Sequence, residues 1–259
     1  MSALTPKKQL DKLLPYNSIA TRQWLASKGM TRHAIDNSLK SGKLKSLAVG
    51  VYSRLESRLS WQSIVCSLQS MADLTICVGG LTALNQQGFA HYLSTAPANT
   101  VHLYSEGLPP SWLKKIDSNT NFIWHGTKTL WGENLLPTDA LYREIEWQQG
   151  LPALKVSCPE KAFMEMMVDV PKSVSFDHAN EIMQGMTSLS PNKLEELLKT
   201  CRSIKCKRLF LWFAAKLGYA WFNKLDLSGV DLGSGKRVIA KKGKLDNKYL
   251  ITVPEHLYG

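Results

Sequence analysis

The stretch NSIATRQWLASKGMTRHAIDNSLKSGKLKSLAVGVYSR, residues 17–54, decides how the chain is read. Asn17 and Ser18 offer N-cap oxygens for a helix over 19–27 that keeps Ile19, Ala20, Trp24 and Leu25 on one face. Gly29 supplies the turn after it. Thr31 caps a following helix over 32–40, with Ala34, Ile35 and Leu39 at helical spacing and Arg32, His33, Asn37 and Lys40 on the other face. Gly42 closes that helix. Lys43–Leu47 then alternates polar and apolar, Ala48–Gly50 turns, and Val51–Arg54 returns, which predicts a hairpin in the position of a wing. Upstream, Leu10, Leu13 and Leu14 predict a short amphipathic helix that ends at Pro15. Together these elements predict a winged helix-turn-helix over residues 1–58.

The side chains on this unit suit a duplex. The N-terminal part of a recognition helix enters the major groove, where Arg32 can chelate guanine and Asn37 can pair with adenine. Thr31 and His33, on either side of Arg32, belong to the expected DNA-contact set. Lys40, Lys43, Lys45 and Arg54 are expected to meet phosphates, and Arg22 to meet the backbone from the preceding helix. Charge supports this placement. The chain carries 32 Lys/Arg against 21 Asp/Glu, for a net charge of +11. Residues 1–58 hold +8, residues 59–192 hold −5 and residues 193–259 hold +8, counted from the sequence. Two basic ends around an acidic middle point to a polyanion contact at one or both ends.

Outside the first unit the pattern predicts a larger mixed α/β domain over 59–259, of which 59–98 can pack as an extension of the N-terminal unit. The fold class expected for the chain is therefore α+β. A helix is expected over 60–72, a strand at 74–78 stopped by Gly79–Gly80, and a helix over 81–87. Strands follow at 101–104 and 121–124, with a short helix around Trp112 opened by Pro109–Pro110. A hairpin is expected from 145–147 to 154–156. Helices are expected over 159–168, 175–186, 191–201 and 203–217, then strands at 237–240 and 249–253 around a turn at 241–244.

Several function classes find no support. The five cysteines form no CxxC pair, so neither a disulfide framework nor a zinc ribbon is expected. No two of the six histidines stand at i+3 or i+4, and neither HExxH nor GxSxG occurs. Gly233–Ser234–Gly235–Lys236–Arg237 fails as a phosphate loop, because Val230 stands where the first Gly is needed and Arg237 where Ser or Thr is needed. Asp117, Glu133, Asp139, Glu144 and Glu146 can supply metal carboxylates only if the fold brings them together. No catalytic residue, metal or cofactor is expected. The longest strongly apolar run, Leu209–Ala215, falls well short of the about 20 residues of a bilayer span, and no secretory signal is visible. A cytoplasmic location is expected. A second basic patch is expected from Lys205, Lys207, Arg208, Lys236, Arg237, Lys241, Lys242 and Lys244, facing nucleic acid or an acidic protein surface.

Three blocks, in order along the chain, resemble the AbiEi antitoxins of type IV toxin–antitoxin and abortive-infection systems. They are the helix-turn-helix running into Leu47–Tyr52; Val78–Gly79–Gly80–Leu81–Thr82–Ala83–Leu84 with Gln87–Gly88 and His91–Tyr92–Leu93; and Asp231–Arg237 with Tyr249–Pro254. The resemblance implies a non-enzymatic protein with two jobs. One is repression of its own operon through inverted repeats bound by the winged domain. The other is opposition, by the C-terminal domain, to a nucleotidyltransferase-like toxin encoded beside it. The competing reading is a winged-helix regulator whose C-terminal domain senses a small ligand and has no toxin partner.

Overall fold

The structure, a computed structural model, describes residues 6–89, 100–132 and 139–258. Glu133 and His91–Tyr92–Leu93 lie outside the described residues. The fold is α+β. It opens with α1 (Pro6–Leu13), β1 (Ile19–Thr21), α2 (Arg22–Ser27), α3 (Arg32–Lys40), β2 (Leu44–Ala48) and β3 (Val51–Arg54). The three strands form an antiparallel sheet in the order β1-β3-β2. The second helix is shorter than its sequence suggests. Ile19–Thr21 pairs with β3 instead of starting the helix, and Thr21 is the N-cap. Two of those three residues are β-branched and lie on an otherwise open strand edge, which favours the ladder over a helical turn. Asn17 serves the chain differently: its Oδ1 accepts from the Arg58 amide at 2.9 Å.

The next elements are α4 (Trp61–Met71), β4 (Ile76–Val78), α5 (Gly80–Gln86), β5 (Thr100–Ser105), β6 (Asn121–Gly126) and α6 (Thr127–Trp131). Then come β7 (Tyr142–Ile145), β8 (Leu154–Ser157), α7 (Pro159–Met166), α8 (Phe176–Gly185), α9 (Pro191–Thr200) and α10 (Ile204–Leu217). A mixed five-stranded sheet runs β6-β5-β4-β8-β7, with β4 parallel to β8 and β5 parallel to β6. Segment 59–89 joins the two sheets. The Ile19 amide donates to Ser67 Oγ of α4 at 3.0 Å, and β4 is the central strand of the large sheet. Ile19 and Val51 accordingly share the main core with Ile64, Val65 and Leu68.

The C-terminal strands fall elsewhere than the sequence suggests. β9 (Gly243–Asp246) and β10 (Ile251–Pro254) form the hairpin, and the expected strand at 237–240 contributes one bridge, Arg237 to Ile251. The turn lies at 247–250, closed by Asp246 Oδ1 accepting from the Tyr249 amide at 2.7 Å. Gly243 enters the ladder because a Cβ there would stand 2.2 Å from the Val253 carbonyl oxygen.

α7 is buried along its whole length, packed among α5, α9, α10 and the end of β8. Phe163 meets Phe210 and Phe213 of α10 edge-on, at 6.0 and 6.4 Å between centroids. On the opposite side of α7, Lys161 and Glu165 are fully buried and pair at 2.5 Å. Ser157 at the end of β8 accepts from Lys161 Nζ at 2.9 Å and donates to Glu165 Oε1 at 3.2 Å. The other carboxylate oxygen accepts from the Gly80 amide at 3.0 Å. The rings of Tyr142, Tyr104 and Trp131 surround the ammonium at 5.1, 5.7 and 5.9 Å. Gly79 is required beneath this cluster: a Cβ would lie 2.3 Å from Glu165 Oε2 and 2.4 Å from the Tyr104 ring.

Two histidines complete the same face of the sheet. His102 Nδ1 and His125 Nε2 stand 3.0 Å apart, and Asp169 Oδ2 lies 3.8 Å from His102 Nδ1. Burial holds both imidazoles below their usual pKa, against the pull of Asp169. They are neutral in the fold at pH 7.

Two outcomes follow. Lys161→Met alone strands the Glu165 carboxylate and should destabilise by about 3–5 kcal/mol in urea titrations, whereas Lys161→Met with Glu165→Leu should recover most of the loss. The histidine pair sets a pH dependence. Its protons bind more readily to the unfolded chain, so stability should be level above pH 6.5 and fall as pH drops below it. The slope belongs to the two hydrogen-bonded imidazoles together. His125→Gln should flatten it in denaturation measured from pH 7 to 5.

Candidate nucleic-acid interface

Helices α2 and α3 are both set by threonine caps. Thr21 Oγ1 accepts from the Trp24 amide at 3.1 Å, and Thr31 Oγ1 from the Ala34 amide at 3.2 Å. Gly29, with φ +88°, turns the chain between them. Their apolar faces close on Leu10, Leu14, Leu44 and Tyr52, with Leu25, Met30 and Ile35 buried between. Arg22 then fixes α2 against its neighbours: Nε donates to Tyr52 Oη at 2.9 Å and Nη2 to Asp36 Oδ1 at 2.8 Å. The Tyr52 hydroxyl, then Asp36, raises the guanidinium pKa above its ordinary value.

The expected contact residues separate into three groups. Arg32, His33, Asn37, Lys40 and Lys43 are exposed along α3 and just beyond it, and Thr31 is exposed while its hydroxyl caps the helix. Arg22 and Lys45 are partly engaged; Lys45 Nζ donates to the Ser57 carbonyl at 3.3 Å. Arg54 is a correction. It is buried, donates to the Leu14 carbonyl at 2.9 Å, pairs with Asp11 and lies over the Tyr16 ring, so it anchors α1 rather than facing phosphate. The hairpin also differs in character from a charged wing. Its turn presents Val49, 93% exposed, beside Gly50, and its lysines sit at the base next to α3.

A cleft of about 870 Å³ opens between α2, the start of α3 and the hairpin turn. Arg22, Gln23, Arg32 and Val49 line it, and Trp112 from the large domain closes one side. The sequence reading missed Gln23 and Trp112. Gln23 is an exposed polar residue on α2, and only the Pro109–Pro110 punctuation drew attention near Trp112.

The second basic patch is smaller than its sequence suggests. Lys207 and Arg208 are buried, because α10 turns that face into the core. The Arg208 guanidinium binds the carbonyls of Leu232 and Gly235 at 2.7 Å, Gly233 at 3.0 Å and Leu250 at 3.2 Å. The Gly-Ser-Gly-Lys-Arg loop therefore turns carbonyls towards a cation. Lys205 is half-buried and donates to the Val168 carbonyl at 2.9 Å; burial lowers its pKa. Lys236, Arg237, Lys241, Lys242 and Lys244 are exposed. Asp117, Asp139, Glu144 and Glu146 are exposed as well. Among the described residues no group of three or more His, Cys, Asp or Glu side chains is placed to hold a metal ion, and no helix is long and apolar enough to cross a membrane. The five cysteines are buried free thiols.

Two family models match the chain. The one described as the transcriptional regulator AbiEi antitoxin N-terminal domain covers residues 5–95. The one described as the transcriptional regulator, AbiEi antitoxin, type IV toxin–antitoxin system covers residues 98–254. The boundary between them falls after β4, although β4 is built into the sheet of the second unit. The RV2827C protein from Mycobacterium tuberculosis has a similar solved structure, with a TM-score of 0.53 and 16% identity, covering 94% of this chain and 88% of that one. No curated protein matches the chain.

Proposed function

Because this chain belongs to the AbiEi antitoxin family of type IV toxin–antitoxin transcriptional regulators, we propose that it represses its own operon and opposes a toxin encoded beside it. In this reading the protein is cytoplasmic and non-enzymatic. Its α3 reads inverted repeats in its promoter, and its large domain counters a nucleotidyltransferase-like toxin.

The observation that carries the DNA reading is the exposed face of α3. Arg32, His33 and Asn37 stand free on the first turns of a capped helix, and Lys40 and Lys43 continue the line. An Arg near the start of a helix suits guanine O6 and N7, and an Asn five residues on suits adenine. The half-exposed Arg22–Asp36 pair stands beside Arg32 at the edge of this face and ties α2 to α3 before DNA arrives. The apolar hairpin tip offers no charge, so phosphate contact is assigned to the base of the hairpin and the end of α3.

Fluorescence anisotropy with the protein's own promoter and with a scrambled duplex tests the reading. Arg32→Ala and Asn37→Ala should each cost about 1–3 kcal/mol of discrimination between the two. Lys43→Ala should weaken both duplexes alike and flatten the salt dependence by about one charge. Lys45→Ala should act less, since its ammonium is held by Ser57. Unchanged discrimination in the Arg32 and Asn37 variants refutes α3 as the reading helix.

A further inference from the structure

α10, the β9–β10 hairpin and the residues after it border an open cavity of about 260 Å³. Trp212, Tyr249, Leu257 and Tyr258 give it apolar and aromatic walls. Lys216 and Lys248 line it too, and Lys244 stands over the Tyr258 ring at 4.2 Å. The ammonium groups of Lys248 and Lys216 lie over Tyr249 and Trp212 at 5.2 and 5.9 Å. None of these three lysines makes an ion pair among the described residues. Tyr249 is 4% exposed, and its buried hydroxyl stands beside the Lys248 ammonium.

The volume and the charges narrow the ligand. The cavity is smaller than the about 300–1,000 Å³ that encloses a drug-sized molecule, so it takes one ring system and leaves the rest of the ligand outside. At its rim stand the exposed Lys244 and Lys248. Asp246, also in the wall, repels a bare anion but accepts from the amino or imino group of a base. Aromatic surface bordered by lysines is the chemistry that stacks bases and follows a phosphate backbone. We infer that this cavity binds a nucleobase carrying phosphate, with the ring displacing the Lys244 ammonium from the face of Tyr258 and the phosphate held by Lys244 and Lys248. The ligand is a free nucleotide or a nucleotide of an unpaired strand. The inference is independent of the winged unit's role in duplex binding.

The test uses the full chain with two fluorescent probes: N-methylanthraniloyl GTP for the free nucleotide and a labelled eight-nucleotide single-stranded RNA for the strand. Saturable binding of the first alone identifies a free nucleotide, and of the second an unpaired strand; either supports the site, provided the variants respond. Tyr258→Ala should weaken binding by about 5- to 100-fold while Tyr258→Phe retains it. The double variant Lys244→Gln with Lys248→Gln changes only exposed side chains. It should weaken binding by at least about tenfold and reduce its salt dependence. Unchanged melting temperatures show that the variants fold. The inference is overturned if neither probe saturates at millimolar concentration, if the variants bind like the parent, or if inorganic phosphate displaces the probe as well as unlabelled GTP or RNA does.

Discussion

The large domain is organised around one buried ion pair. Lys161 and Glu165 lie on the same face of α7, one helical turn apart, with neither reaching solvent. Removing two charges from water is costly, and their mutual attraction offsets that cost only when the remaining donors and acceptors are satisfied. The fold meets that condition by drawing in its neighbours. Ser157 comes from the end of β8, the Gly80 amide from the start of α5, and Tyr142 from the edge strand β7. The parallel strands β4 and β8 thus end at one polar centre, and the paired glycines 79 and 80 are the only backbone that fits beneath Tyr104 and Glu165.

The winged unit rests on a separate, smaller core and a different electrostatic device. Arg22 binds both Tyr52 and Asp36 and so connects α2, α3 and β3 through partly exposed contacts. Such a pair adds little to stability in water. Its value is geometric, since it holds the polar face of α3 in one orientation. Arg54 does the same for α1 from a buried position. Segment 59–89 links the two units, because α4 packs on β1 while β4 enters the large sheet. A displacement of the winged unit therefore has to be accommodated at α4.

Local signals in the sequence told the helices well. Thr31, Ser60, Ser175 and Ser203 all cap through their side chains, and Pro159 and Pro191 open α7 and α9. Long-range pairing was hidden. Ile19–Thr21 has an amphipathic helical reading that holds until β3 offers it a strand edge. The meeting of His102 with His125 depends on the parallel register of β5 and β6, which no local spacing reveals. In the interface, exposure was legible for the charged face of α3, whose opposite face is apolar. It was not legible for Arg54, Lys207 and Arg208. A buried cation reads the same as a solvated one until the carbonyls or carboxylate that satisfy it are located.

The block Asp231–Arg237 carries part of the resemblance to the antitoxin family, and its geometry gives a structural reason for its composition. The loop must bend closely enough to present three carbonyls to Arg208, and Gly233 and Gly235 provide left-handed turns at φ +64° and +76°. Hydrogen–deuterium exchange of the full chain, with and without a duplex spanning its own promoter, tests the central claim most directly. The account predicts slowed exchange in residues 31–45, with the amides around Arg208 unchanged. Protection that leaves residues 31–45 untouched and appears on another face of the molecule contradicts it.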